Sequence, residues 1–194
     1  MSIKINRYQR ERDRTREAFI RSALELVIEQ GYQTTTVTEI ANRADYGRGT
    51  FYLYFEDKAD VVWAGLKHYM DDWQTHAFDE VKTIQSLRRE YLSWVAVFKN
   101  LRDYWHVYAQ IDFTHGSAVW QKLRDYLIAS YEDNLREARY RSDMTLPVPM
   151  MARFLYGAVQ ETMLWWVENG FQQSPEDLAE MVFTMVYRQA VPTE

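Results

Sequence analysis

The 194-residue chain contains no cysteine, which excludes disulfides, cysteine-zinc sites and thiol nucleophiles together. Proline is nearly as scarce: there are four, none before Pro147, alongside seven glycines. Sandwiches and barrels built on frequent tight turns need more of both. No long apolar run occurs either. The most apolar stretch, Ala158–Val167, is interrupted by Gln160 and Glu161 and bounded by Arg153 and Glu168, too short and too polar to span a bilayer. The first 21 residues lack the apolar segment of a secretory signal. A net positive charge is also missing. The formal charge of −5 argues against a basic coat over the whole surface but leaves a local basic patch open. What is present is 47% hydrophobic residues, 15% of the chain being aromatic, ample for a buried core. The expectation is a soluble, cytoplasmic, all-α protein with no membrane partner.

Charge is unevenly spread. Residues 1–21 hold Lys4, Arg7, Arg10, Arg12, Arg14, Arg16 and Arg21 against Glu11, Asp13 and Glu17, a basic arm on an otherwise acidic chain. From Thr15, the residues Phe19, Ala23, Leu24, Val27 and Ile28 recur at helical spacing, and Gly31 stops them as a left-handed cap. Thr36-Val37-Thr38-Glu39 is a capping box, opening a short helix through Ile40, Ala41 and Ala44. Asp45-Tyr46-Gly47 predicts a tight turn, and Arg48 to Phe55 a second short helix. A long helix follows from Asp57 to about residue 80. Further on, Leu87, Tyr91, Trp94, Phe98, Leu101, Trp105 and Tyr108 alternate four and three apart, one helical seam with a potential break near Asn100. His115-Gly116-Ser117 marks an interruption before a helix over Val119–Ala138. Pro147 and Pro149 start another, which Asn169-Gly170 ends, and Ser174-Pro175-Glu176-Asp177 starts the last. About nine helices result: a small domain over residues 1–56 and a larger bundle over 57–194.

Two short helices joined by a tight turn, after a longer one, make a helix-turn-helix arrangement. Its second helix must project and offer polar groups at its N-terminus to base edges. Arg48 can donate two bonds to guanine, Thr50 can meet a thymine methyl, and Gly49 permits close approach. Phe51 and Phe55 would supply the buried side, while Tyr52, Tyr54 and Lys58 could reach phosphates. An arginine there opposes the helix dipole, so it has another task. On spacing alone, an ordinary αα-corner with an exposed arginine competes.

The segment Thr36-Val37-Thr38-Glu39-Ile40-Ala41-Asn42-Arg43-Ala44, followed by Gly49-Thr50-Phe51-Tyr52-Leu53-Tyr54-Phe55-Glu56-Asp57-Lys58, resembles the TetR family of bacterial transcriptional regulators. The resemblance covers roughly residues 15–60. It implies a homodimer on double-stranded palindromic operator DNA, repressing until a small-molecule effector releases it. By the same resemblance, Thr36 and Tyr52 correspond to phosphate contacts, Arg48 and Thr50 to base readers, and Lys58 to the lysine opening the connecting helix. The full DNA-facing set is Thr36, Thr38, Tyr46, Gly47, Arg48, Gly49, Thr50, Tyr52, Tyr54 and Lys58. Two residues depart from the family pattern. Asp45 stands where glycine is common, and Gly47 where serine or threonine caps the recognition helix and often contacts a phosphate.

No catalytic set, metal site or cofactor is expected. The four histidines fall in no zinc-protease or di-metal spacing, and there is neither a nucleophile elbow nor a Walker loop. Asp72, His76 and Glu80 share a helical face, which reads better as solvated surface than as a metal site. The aromatics of the larger domain suit core, dimer contacts or the walls of an effector site. Trp94, Phe98, Tyr104, Trp105, Tyr108 and Trp165, with Asp112 and Glu161 as acids, are the candidate ligand set, matched to flat or cationic compounds. Met151, Leu155 and Ala158 on one helix and Met181, Val182 and Met185 on the last form apolar stripes for a dimer interface. The rival reading is a helical small-molecule binding protein that keeps the motif without regulating transcription.

Overall fold

The computed structural model describes residues 7–79, 87–111, 117–137 and 146–187. Asp112, Glu80 and the His115-Gly116 interruption lie outside them. Among the described residues there are eight helices and no strand: α1 (Arg7–Gln30), α2 (Val37–Arg43), α3 (Arg48–Phe51), α4 (Lys58–Asp79), α5 (Leu87–Tyr108), α6 (Ala118–Glu137), α7 (Val148–Glu168) and α8 (Pro175–Tyr187). Among the described residues a ninth helix is not found, because α5 runs unbroken through Asn100, which is buried.

Two helices differ from their predicted extents. α1 begins at Arg7, eight residues before the apolar periodicity, so the basic arm is helical from Arg7 onward. Arginine, glutamine and glutamate are good helix formers, and one-turn bonds support them: Gln9 Nε2 donates to Asp13 at 3.0 Å and Thr15 Oγ1 to the Glu11 carbonyl at 3.0 Å. α3 is shorter than predicted, four residues of regular helix. Beyond Phe51 the bonds tighten to three-residue spacing, Leu53 N to Thr50 O at 3.1 Å and Tyr54 N to Phe51 O at 3.0 Å, before Phe55 closes back on Phe51.

The predicted stops hold. Gly31 ends α1 at φ +86°, and Asp45 takes φ +61° in the turn between α2 and α3, a left-handed position that aspartate tolerates. Ser174 caps α8, its hydroxyl accepting from the Asp177 amide at 3.1 Å. After α7, both Gly170 and Phe171 are left-handed. The bulky Phe171 is held there by its ring edge on Trp166 at 4.8 Å and by its amide on the Trp166 carbonyl at 3.0 Å.

The chain divides into two compact units, and the division differs from a cut at residue 57. The first takes in the described residues up to Met70 and those between Val107 and Lys122; the second takes in those of Asp71–His106 and from Leu123 onward. The first half of α4 buries Val61, Val62 and Leu66 in the same core as Phe19, Ile40 and Phe51, and Ile111 and Val119 join it. Gly65 is what lets α4 approach α1 so closely. A Cβ there would lie 2.7 Å from Leu24 Cδ1 and 3.0 Å from Ile20 Cγ2. The second unit is built around Trp94, Phe98, Leu155, Val159, Trp166, Val182 and Phe183, all buried.

Candidate nucleic-acid interface

Phe19 of α1 is the hub of the first unit. Fully buried, it has the rings of Tyr46, Phe51, Tyr54 and Phe55 around it at 5.3, 5.4, 5.9 and 6.4 Å. Aromatic pairs at such distances add directional contacts to their burial. Phe51 and Phe55 are buried against this hub, while Arg48, Gly49, Tyr52 and Leu53 are exposed. α3 is thus clamped from behind and bare in front.

On that bare face Arg48 Nη2 donates to the Tyr52 hydroxyl at 3.1 Å, with the guanidinium 5.5 Å from the ring centre. The contact fixes a side chain that would otherwise sweep through solvent. Gly47 is the N-cap of α3 at extended backbone angles and supplies no side-chain bond, and a Cβ on Gly49 would meet nothing within 4 Å. Thr50 is half-buried.

At α2 the capping box is present in full. Thr36 Oγ1 accepts from the Glu39 amide at 3.2 Å, and Glu39 Oε2 accepts from the Thr36 amide at 2.8 Å and from its hydroxyl at 2.7 Å. These bonds to Thr36 hold the Glu39 carboxyl below the usual carboxylate range. Thr36 and Thr38 are both exposed. Arg43 Nη1 bonds Glu29 of α1 at 2.7 Å, which lowers the pKa of Glu29 and raises that of Arg43.

Three of the DNA-facing residues named from the sequence are half-buried and make contacts within the fold. Tyr46 is half-buried on Phe19, and its hydroxyl accepts from Thr15 at 3.2 Å; Tyr54 is half-buried on the same ring. Lys58 Nζ donates to the Tyr32 carbonyl at 2.5 Å and sits 4.1 Å from the Tyr32 ring centre, tying the loop after α1 to the start of α4. The sequence reading also missed Leu53, a leucine 76% exposed at the end of α3. The four-residue spacing of Phe51 and Phe55 was the signal that could have placed it outside. Along α1, six exposed arginines and three exposed acids lie between Arg7 and Arg21, with Arg16 over the Phe55 ring at 5.3 Å.

The candidate ligand residues of the larger domain do not converge. Trp94 and Phe98 are core residues, stacked at 6.5 Å. Tyr104 is exposed, Trp105 packs its ring against Phe171 at 6.0 Å, and Tyr108 belongs to the core of the first unit. Glu161 and Trp165 instead line an open groove of about 960 Å³ along α7 and α8, with Thr162, Gln173, Met181 and Met185. Among the described residues no group of three histidine, aspartate or glutamate side chains could hold a metal ion.

The dimer stripe needs a one-residue correction. Leu155 and Val182 are buried inside the unit, and Met151 and Ala158 are half-buried. The outer face of α7 carries Met150, Phe154, Gly157, Glu161 and Trp165, with Met181 and Met185 exposed on α8. α7 is apolar on almost every side, so its sequence does not say which apolar row faces out.

Residues 19–64 match the family of bacterial regulatory proteins named tetR, and residues 94–188 match a transcriptional regulator C-terminal region. The HTH-type transcriptional regulator HbdR of Aromatoleum sp. (strain CIB) is 41% identical over 59 residues, a match covering 30% of this chain and only 26% of HbdR. The fatty acid metabolism regulator protein of Bacillus subtilis (strain 168) is 23% identical over 163 residues, 77% of this chain and 82% of that protein. The crystal structure of the transcriptional regulator FadR from Bacillus subtilis in complex with stearoyl-CoA has the same fold, with a TM-score of 0.64 at 22% identity over 88% of this chain and 96% of that one. Among the described residues no helix is long and apolar enough to cross a membrane.

Proposed function

The chain belongs to the TetR family of bacterial transcriptional regulators, and from that premise we propose that it works as a homodimeric repressor. It holds a palindromic operator and lets go when a small apolar or aromatic effector binds the larger domain. The observation that carries this reading is the clamped α3, which turns Arg48, Gly49, Tyr52 and Leu53 outward from the Phe19 hub. Arg48 is the base reader, with a reach that suits guanine O6 and N7, and Leu53 suits a thymine methyl. Tyr52, Thr36 and Thr38 are the exposed hydroxyls for phosphates, and Gly47 contributes a backbone amide without the usual hydroxyl. The arginines of α1 add a sequence-independent pull on the duplex.

One α3 contacts too few bases to select an operator, so two must act together. The apolar outer rows of α7 and α8 support a second copy packed across them as a four-helix interface. Release requires that the effector prefer a conformation in which the two recognition helices no longer match adjacent turns of DNA. α4, α5 and α6 each contribute residues to both compact units and so supply a continuous path for that coupling. The Bacillus subtilis FadR structure holds stearoyl-CoA, and an apolar effector with a polar end is consistent with the aromatic core here.

The test is selection of bound duplexes from a random pool with the purified protein. Enrichment of an inverted repeat with half-sites about one turn apart, or a related spacing, is the result expected. Affinity for it should fall steeply with salt. Selected DNA that cannot outcompete random DNA at moderate salt would refute the reading.

A further inference from the structure

One helix of the second unit carries its charges in an order that works against the helix itself. From Leu146 to Gly157 the only charged residue is Arg153, and from Ala158 to Glu168 the only ones are Glu161 and Glu168. A helix favours acids toward its N-terminus and bases toward its C-terminus, and α7 has the opposite arrangement. Gly157 stands near the middle of α7, on its outer row. A Cβ there would meet nothing within 4 Å, so no contact inside the chain requires glycine, a residue that weakens a helix relative to alanine.

The groove along α7 and α8 has the matching character. Three carboxylates, Glu161, Asp177 and Glu180, line it together with Trp165 and Met181, and among the described residues no lysine, arginine or histidine does. It borders the C-terminal half of α7. The N-terminal half presents Met150 and Phe154, both more than half exposed, with Arg153 between them. Arg153 donates to the Pro149 carbonyl at 2.9 Å and lies 3.6 Å from Glu132, yet more than half of its side chain stays open to solvent. One half of α7 is thus apolar with a cation, and the other half borders an apolar groove with acids. A two-fold axis brings such halves together. With the axis at Gly157, each residue n places before it stands level with the residue n places after it on the second copy. Arg153 of each copy then meets Glu161 of the other.

We propose that two copies of this chain cross antiparallel at Gly157 of α7, and that Met150, Arg153 and Phe154 of each copy fill the acidic groove of the other. Gly157 lets the two backbones close, Met150 and Phe154 cover the apolar wall at Trp165 of the second copy, and the two Arg153–Glu161 pairs select this register. In a parallel pair Arg153 would face Arg153 and Glu161 would face Glu161, so the same charges reject that arrangement. The groove of one copy is completed only by the other. The inference rests on the homodimer read above and adds to it which residues meet.

The experiment follows self-association of the full-length protein by sedimentation for wild type, Arg153→Glu and Glu161→Arg, with helicity checked by circular dichroism. Each single reversal sets like charges opposite one another and should weaken self-association by at least about ten-fold. Mixed in equal amounts, the two variants should associate with each other about as tightly as wild type does with itself, and native mass spectrometry should show the heterodimer. A second readout does not depend on charge. The chain has no cysteine, so a single introduced one reports only its own position. Gly157→Cys lies on the axis, within reach of a disulfide, and should cross-link to its copy on oxidation. Phe154→Cys, about 9 Å from its counterpart along the helix axes, should not. Wild-type dimers in which Phe154→Cys cross-links instead, or reversed variants that gain nothing on mixing, would overturn the register and leave the homodimer standing. A wild-type monomer whose groove takes benzyltrimethylammonium would assign the acids to a small cation and end both.

Discussion

The two halves of the molecule differ in how their apolar rings and polar groups are arranged. In the first unit the apolar rings converge on Phe19, and the polar groups around them have named partners: Thr15 with Tyr46, Thr36 with Glu39, Lys58 with Tyr32. In the second, Trp94 Nε1 and Gln173 Oε1 are enclosed without partners, and Phe154, Trp165, Met181 and Met185 stand in water. A part that must present α3 in one orientation gains from rigid, satisfied packing. On the proposed function, the second unit is the part that an effector and a second copy would cover. The contrast is between a tightly paired scaffold behind α3 and a unit with exposed apolar rows on α7 and α8, and it can be broken at either end.

The largest effect belongs to the hub. Phe19→Ala removes the ring on which four others rest and should cost about 3–5 kcal/mol in chemical denaturation, with operator binding lost alongside. A cost below about 1 kcal/mol would mean the hub is not the organising contact. On the other side, Met181→Glu combined with Met185→Glu touches exposed residues, so folding should be spared while assembly fails. Sedimentation should show a helical monomer, and its affinity for operator should fall toward the ~10⁻⁴–10⁻⁶ M range of non-specific binding. A wild-type monomer with full operator affinity would contradict the two-fold arrangement. Thr36→Ala should cost about 1 kcal/mol at neutral pH by removing the α2 cap. This loss carries a pH signature. Glu39 has a folded pKa below its ordinary 4.5, so its contribution is present above that value and fades as pH falls through the folded pKa. The gap between wild type and Thr36→Ala should therefore narrow on acidification. A gap independent of pH would take Glu39 out of the cap.

The scaffold was the legible half because its rules are local. Gly31, the Thr36–Glu39 box, Asp45 and Ser174 each act within a few residues, and each is found where the sequence puts it. The sequence is silent where tertiary packing decides. Nothing local shows that Tyr46 and Tyr54 turn inward onto Phe19, or that the Lys58 ammonium goes to Tyr32. Gly65 gives no local signal, because an isolated glycine in a helix has a meaning only once Leu24 presses on it. In the larger unit the aromatics were visible but their grouping was not. A helix with apolar residues on almost every side, as α7 has, carries little phase, so the sequence alone puts Leu155 on an outer face that Phe154 occupies.

The central claim is that α3 reads sequence through Arg48, held by Tyr52. It is tested most directly by determining the base preference at every operator position for wild type and for Arg48→Ala in the same selection. One position in each half-site should lose its preference, at a cost of about 1–3 kcal/mol there, while the others keep theirs. A variant that binds every sequence more weakly with an unchanged pattern of preference would show Arg48 to be a phosphate contact and contradict the account.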